Sequence, residues 1–237
     1  LHHQDLYILY IDLTAAFNTV NHYRLQEVLG MLGIPQDARE VIDSIYADAS
    51  TTILTPYGPT PHIPISRGTL QGDTLSPLLF LLYLEPLLRW LHQGGRGYTY
   101  GCLKQDSDTH FITSNAKYQM GTAAYADNLA APTNTLQDME VQASKISAYC
   151  SWAQLEVNAS KCAITAGLFS TWHREGTGNN PHTDQRPVRR VQDRIFLQGK
   201  PIPPLHPAQS YTYLGAPLNL LLDWTQAYQT ILEKIQK

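Results

Sequence analysis

The chain has 237 residues, 43% hydrophobic and 16% charged, with a net charge of −3 and a pI near 6.3. That length buries a sizeable core in one large domain or two small ones and the composition excludes a disordered chain, while the acidic balance argues against a basic nucleic-acid face or places the basic parts elsewhere. Three scattered cysteines without a C-x-x-C pair exclude a disulfide framework and a zinc signature, and the longest apolar run, PLLFLLYLEPLLRWL, is too short to span a bilayer and carries Glu85, Pro86 and Arg89.

The opening, LHHQDLYILYIDL, has neither a basic leader nor a cleavage site and reaches a strand-like run at once, as expected of a piece of something longer. LYILYIDL at 6–13 suits a mostly buried strand. Leu25, Val28, Leu29 and Leu32 then fall at helical spacing, with Asn21 as N-cap and Gly33 as the stop. Pro35 opens a second helix whose expected apolar face is Ala38, Val41, Ile42 and Ile45. TTILTPYGPTPHIPIS reads as a hairpin about a Pro-Tyr-Gly-Pro turn. Ser76-Pro77 signals a helix start, the hydroxyl capping and the proline in the first turn. The helix that follows is apolar nearly all round and is expected to be central.

Residues 93–121 have no clear period and read as a loop or small excursion. TAAYAD and LAAPT make two short strands about Asp127-Asn128. Leu136, Met139, Ala143, Ile146 and Cys150 mark an amphipathic helix, and CAITAGLF a strand. The stretch 173–190 is the most polar and reads as a mobile insertion. A last strand-like element, YTYLGAPL, precedes a final helix, DWTQAYQTILEKIQK. Strands and helices alternate without a regular βαβ rhythm, so the expected class is α+β with a partly antiparallel sheet.

Asp12 ends an apolar strand, where a carboxylate is costly unless it meets a cation or donors; capping the next turn would also satisfy it. Asp127 is a second such residue, at a tight bend. Two aspartates at neighbouring strand ends are the minimum cage for divalent ions, which prefer oxygen ligands and leave room for phosphates. Between them lies SRGTLQGDTLSP, whose glycines permit close approach to the backbone and whose Gln71 offers donor and acceptor.

The ordered series YIDLTAAFNTVNH, SRGTLQGDTLSPLLF, AYADN, LEVNASKC and YTYLG resembles the reverse transcriptases of non-LTR, LINE-type retrotransposons, from about residue 6 to 218. The resemblance implies a polymerase palm: a small, mainly antiparallel sheet packed against helices, with fingers and thumb largely missing and loop insertions at about 93–121 and 173–190. It implies RNA-directed DNA polymerase activity with RNA template, DNA primer and dNTP as partners, Mg²⁺ or Mn²⁺ as cofactor, no membrane, and an intracellular location, nuclear for a eukaryotic element. The rest of a full-length polyprotein is expected around it.

Residue by residue, Asp12 and Asp127 resemble the metal-binding carboxylates, with the Leu13 carbonyl as a further ligand. Phe17 resembles the aromatic gate that leaves no room for a ribose 2′-hydroxyl; a core phenylalanine is the plainer alternative. Ala16, Gln71, Gly72 and Tyr125 are counted with the substrate-binding residues, and Arg67 as a phosphate or structural contact. Lys161, after Asn158, resembles the lysine that protonates the pyrophosphate leaving group, and Leu214-Gly215 the primer-grip turn. Two positions depart from the pattern. Asn128 stands where the family has a second aspartate of its catalytic pair, and Asn18 where an aspartate commonly follows the gate. Asn128 is read in three ways: tolerated with weaker metal binding, a mark of a decayed or repurposed copy, or an engineered silencing. The runner-up function is therefore an inactive palm-fold remnant that binds nucleic acid or acts as a scaffold; a maturase-like or RNA-copying polymerase is a third, against which Phe17 speaks.

Overall fold

A computed structural model describes residues 5–70, 72–101, 117–167 and 195–220, together with positions 225, 228, 229 and 232. Strand β1 (Leu6–Asp12) is followed by a single helical turn, α1 (Ala16–Thr19), and by α2 (His22–Met31). Asn21 caps α2 as expected, its side chain accepting the Arg24 N–H at 2.9 Å. Gly33, at φ 79, ends it.

Helix α3 (Gln36–Ala47) starts after Pro35, but of the apolar face expected on it only Ile42 packs against the core, and Ala38 is exposed. Val41 and Ile45 stay 60% and 41% exposed, while Tyr46 is buried. Tyr46 packs its ring against the ring of His22, 4.7 Å between centroids. That contact turns the Ile42–Tyr46 side of α3 towards α2 and leaves Val41 and Ile45 outside.

The expected hairpin forms in two short registers. Strand β2 (Ser50–Thr51) pairs with β5 (Ile63–Pro64), and β3 (Leu54–Thr55) pairs with β4 (Gly58–Pro59) inside it. Four prolines in the segment remove ladder donors, which keeps every strand at two residues. Helix α4 (Ser76–His92) holds Pro77 in its first turn, yet Ser76 is not the cap. Its hydroxyl donates back to the Leu70 carbonyl at 2.7 Å, and Asp73 accepts the Leu75 N–H at 3.1 Å instead. Leu79, Phe80, Tyr83, Leu84, Leu87 and Leu91 of α4 are core residues, whereas Leu78 and Leu81 face outward, so the helix is central on one side only.

Within the stretch read as a loop, β6 (Tyr98–Gly101) and β7 (Lys117–Met120) form a two-stranded ladder; the residues between them lie outside the described ones. Strands β8 (Ala123–Tyr125) and β9 (Asn128–Thr133) make the expected hairpin. Helix α5 (Leu136–Trp152) is capped by Thr135, whose hydroxyl accepts the Asp138 N–H at 3.0 Å. Strand β10 (Ala163–Gly167) follows, then hairpins β11 (Phe196–Leu197) with β12 (Lys200–Pro201) and β13 (Tyr211–Tyr213) with β14 (Ala216–Leu218). The polar stretch 173–190 lies outside the described residues, as does most of the final helix, of which positions 225, 228, 229 and 232 are helical.

The main sheet runs β10-β1-β9-β8, antiparallel throughout. Strand β1 is central, paired on one edge with β10 (Leu9 opposite Ile164) and on the other with β9 (Leu9 opposite Ala131). Side chains alternate between faces. Leu9, Ile11, Leu129, Ala131 and Ile164 lie on one face, at 1% exposure or less, in one core with Phe80, Tyr83 and Met139 of the helices. Each buried leucine, isoleucine, phenylalanine or methionine among them contributes roughly 1.5–3 kcal/mol by leaving water. Tyr10, Asp12 and Asn128 occupy the opposite face. The result is the α+β architecture with a small antiparallel sheet against helices, and it leaves the carboxylates on the side the helices do not cover.

Candidate active site

Period-two alternation and sheet register together decide what surrounds Asp12. Asp12 is the last residue of β1 and lies directly opposite Asn128, the first residue of β9; Asn128 lies opposite Tyr125 of β8. Facing residues of an antiparallel pair have Cα atoms about 5 Å apart. Asp127, in the bend between β8 and β9, is therefore the immediate neighbour of Asp12's partner. Ala126 beside it takes a left-handed φ of 52, which closes the bend in two residues. Asn128 turns its amide towards Asp127, donating at 3.4 Å.

The Asp12 carboxyl is held above the usual carboxylate range, first by burial; Lys161 pulls it down and Asp127 pushes it up again. Both neighbours thus act on Asp12 through space, which puts two carboxylates and one ammonium in a single field. Among the described residues no three His, Cys, Asp or Glu side chains converge on one point. The donor set is two carboxylates that repel each other, and it fits a divalent cation that takes its remaining ligands from water and phosphate. Beyond Asp12 the chain is bridged to the LEVNASKC motif: Leu13 pairs with Val157. The flanking bonds run from Asn158 N–H to the Asp12 carbonyl (2.9 Å) and from Thr14 N–H to the Glu156 carbonyl (2.8 Å). The Leu13 carbonyl takes part in neither.

Lys161 sits at the end of a turn built by Asn158, whose carbonyl accepts the N–H groups of Lys161 (3.0 Å) and Cys162 (3.1 Å). The lysine is exposed. Cys162, buried behind it, brackets the backbone of Asp12: its sulfur accepts the Asp12 N–H at 3.3 Å, and its S–H points at the Asp12 carbonyl at 3.7 Å. Burial pushes its thiol up to about 11. Nothing in the sequence marks Cys162 as part of the site except its place next to Lys161.

Phe17, on α1, stacks on Phe80 of α4 with centroids 4.6 Å apart and is only partly buried. It is packed against the core and still open on one side. Ala16 turns its methyl into the core, and Asn18 is exposed. The segment before α4 is bound tightly to this turn. Thr69 N–H donates to the Phe17 carbonyl at 2.8 Å, and Gly68 N–H to the Val20 carbonyl at 2.7 Å. His22 Nε2 donates to the Gly68 carbonyl at 2.7 Å. Gly68 has φ +90, and a Cβ there would lie 2.7 Å from the Asn18 carbonyl oxygen. Arg67 donates to the carbonyls of Thr19 (3.2 Å) and Gln154 (3.4 Å), so it has a structural contact, though its side of the loop is exposed. Gly72 is exposed at φ +87. Gln71 lies outside the described residues. Tyr125 is 67% exposed, in the same row of the sheet as Asn128 and Asp12.

Leu214 and Gly215 form the two-residue turn of the β13–β14 hairpin, both left-handed, at φ 52 and 78. That is the pattern of a twisted tight hairpin. A leucine there costs roughly 1–2 kcal/mol, and its side chain is half exposed. The hairpin is fastened to the sheet by Tyr10 of β1, which stacks on Tyr211 at 4.2 Å and touches Tyr213 at 5.9 Å. Tyr10 is 7% exposed, so an aromatic on the open face of the sheet is covered by this hairpin.

Comparison with known proteins adds three findings. A family model described as reverse transcriptase (RNA-dependent DNA polymerase) matches residues 1–218. The chain is 28% identical over 214 residues to the Retrovirus-related Pol polyprotein from type-2 retrotransposable element R2DM of Drosophila melanogaster, and 27% identical over 211 residues to that of type-1 element R2 of Popillia japonica. It covers 90% and 88% of itself in these matches but only 18% and 30% of the two relatives. Among solved structures it is similar to an apo telomerase from Candida tropicalis, with a TM-score of 0.53 at 15% identity, covering 93% of this chain and 35% of that one; this likeness concerns the fold.

Proposed function

Since the chain belongs to the reverse transcriptase family, as the domain of an R2-like non-LTR retrotransposon, we propose that it performs RNA-templated transfer of a nucleotide from dNTP to a primer 3′-hydroxyl. The single observation that supports this most is the pairing of β1 with β9. It sets Asp12 beside Asp127, with Lys161 in the same field. Asp12 and Asp127 would hold divalent cations, Mg²⁺ or Mn²⁺. Bound there, such ions favour the ionised form of the attacking hydroxyl and neutralise charge on the phosphate.

The chain's own residues supply the rest. Asp12 and Asp127 orient what they hold, Asp12 through the register of β1 with β9 and Asp127 through the tight bend that precedes β9. Lys161, exposed beside them, donates a proton towards the leaving pyrophosphate. Phe17, anchored on Phe80 and open on one side, lies against the sugar and excludes a 2′-hydroxyl. The loop through Gly72 lines the nucleotide and template, and the Leu214-Gly215 turn presents backbone to the primer end. Replacing Asp127 with Ala in the full-length protein is expected to reduce RNA-templated primer extension by at least about a hundredfold, the scale of losing one preorganised charge. Unchanged extension would overturn the assignment.

Asn128 favours a second reading. An amide in place of a carboxylate beside Asp12 and Asp127 suits a domain that binds nucleic acid without turnover. Such a protein would bind RNA or DNA independently of Mg²⁺ and incorporate no dNTP. Among the described residues no helix is long and apolar enough to cross a membrane.

A further inference from the structure

The aromatic cluster on the open face of the sheet joins two parts of the site that the sequence separates by about fifty residues. Tyr211 touches both. Its hydroxyl donates to the Lys161 carbonyl at 2.9 Å, and its ring lies nearly parallel to Tyr10, 10° between planes. Three residues beyond it in the hairpin stands Leu214, at the tip of the turn. The Lys161 turn is itself tied to the Asp12 carbonyl through Asn158. A continuous path of hydrogen bonds and stacking therefore runs from the hairpin to the residue that carries the first carboxylate.

We propose that Tyr211 is a positioning residue: its hydroxyl holds the Lys161 turn, and its ring holds the Leu214-Gly215 turn against β1, so both keep one spacing from Asp12 and Asp127. The inference rests on the polymerase reading for its functional meaning and on geometry alone for the linkage. The two halves of the side chain have separate duties. The hydroxyl serves the proton donor, and the ring serves the primer end.

Two substitutions in the full-length protein separate them. Tyr211→Phe keeps the stack and removes the hydrogen bond; kcat is expected to fall roughly five- to tenfold, the worth of one net hydrogen bond, with primer KM unchanged. Tyr211→Leu removes the stack as well, and primer KM is expected to rise by a similar factor. In a Lys161→Ala background, Tyr211→Phe should cost nothing further, because the group it positions is gone. An equal loss in both backgrounds overturns the proposal. Amide hydrogen exchange reads the linkage without turnover: Tyr211→Phe should speed exchange at Lys161 and Cys162, whose N–H groups bond within the turn. Unaltered exchange there overturns it, and is distinguishable from failure of the polymerase reading, which retained extension by Asp127→Ala would reveal.

Discussion

The most consequential single position is Asn128. Asp127 pushes the Asp12 carboxyl up, so the two carboxylates already repel each other. Asn128 adds none of that repulsion and donates an amide hydrogen bond to Asp127. Asn128→Asp places a third carboxylate opposite Asp12 and removes that bond. The expected outcome is a metal-free protein less stable by about 1–3 kcal/mol, with the deficit recovered as Mg²⁺ is added, since a ligand that binds the folded state stabilises it by mass action. Thermal melts in chelator and in millimolar Mg²⁺ read both effects. A variant whose melting is indifferent to Mg²⁺ would show that the missing charge is not what limits metal binding.

Among elements, the turn carrying Phe17 depends on a segment fifty residues away. Gly68 is pressed against Asn18 so closely that a methyl group has no space, and its left-handed φ favours glycine in any case. Gly68→Ala is expected to cost about 2–4 kcal/mol from strain and the clash with backbone. Because the carbonyls of Phe17 and Val20 accept from this segment, the aromatic ring should lose its fixed position too. Denaturant unfolding measures the first effect, and the ratio of ribonucleotide to deoxyribonucleotide incorporation the second. A loss under about 1 kcal/mol would mean that the loop relaxes freely and does not set the Phe17 turn.

At the scale of the whole molecule, one core holds the sheet and helices together, and its centre contains buried phenols. Tyr83 on α4 donates to the Ala153 carbonyl at 2.6 Å, beyond the end of α5, and Tyr149 of α5 donates back to the Tyr83 carbonyl. Burial pushes the Tyr83 phenol up to about 12 from an ordinary 10.0. The unfolded chain therefore releases that proton first. Stability from the neutral phenol is complete below pH 10 and is lost as pH rises from 10 towards 12, worth about 2–3 kcal/mol in all. Tyr83→Phe should lower stability at neutral pH by about 1 kcal/mol through the orphaned carbonyl, yet show a shallower decline above pH 10. Unfolding midpoints between pH 8 and 11.5 test this, and parallel curves would count against it.

The amino-acid sequence alone determined β1, the helices from α2 to α5, the β8–β9 hairpin, the Asn21 cap, the Gly33 stop and the two aspartates at strand end and bend, but not the β6–β7 ladder or the β11–β12 hairpin. Those features depend on neighbours within a few residues, and the five ordered motifs carried the family resemblance. Tertiary structure alone decided which side chains meet. Asp12 faces Asn128 because backbone hydrogen bonds join strands more than a hundred residues apart, and Cys162 grips Asp12 across 150 positions. The exposed stripe of α3, the use of Ser76 as a tether and not a cap, and the stacking of Tyr211 on Tyr10 have the same origin. Local periodicity says that a residue belongs to a helix or strand; the partner that buries it is set by packing, where a contact between distant segments outweighs a few tenths of a kcal/mol of local preference.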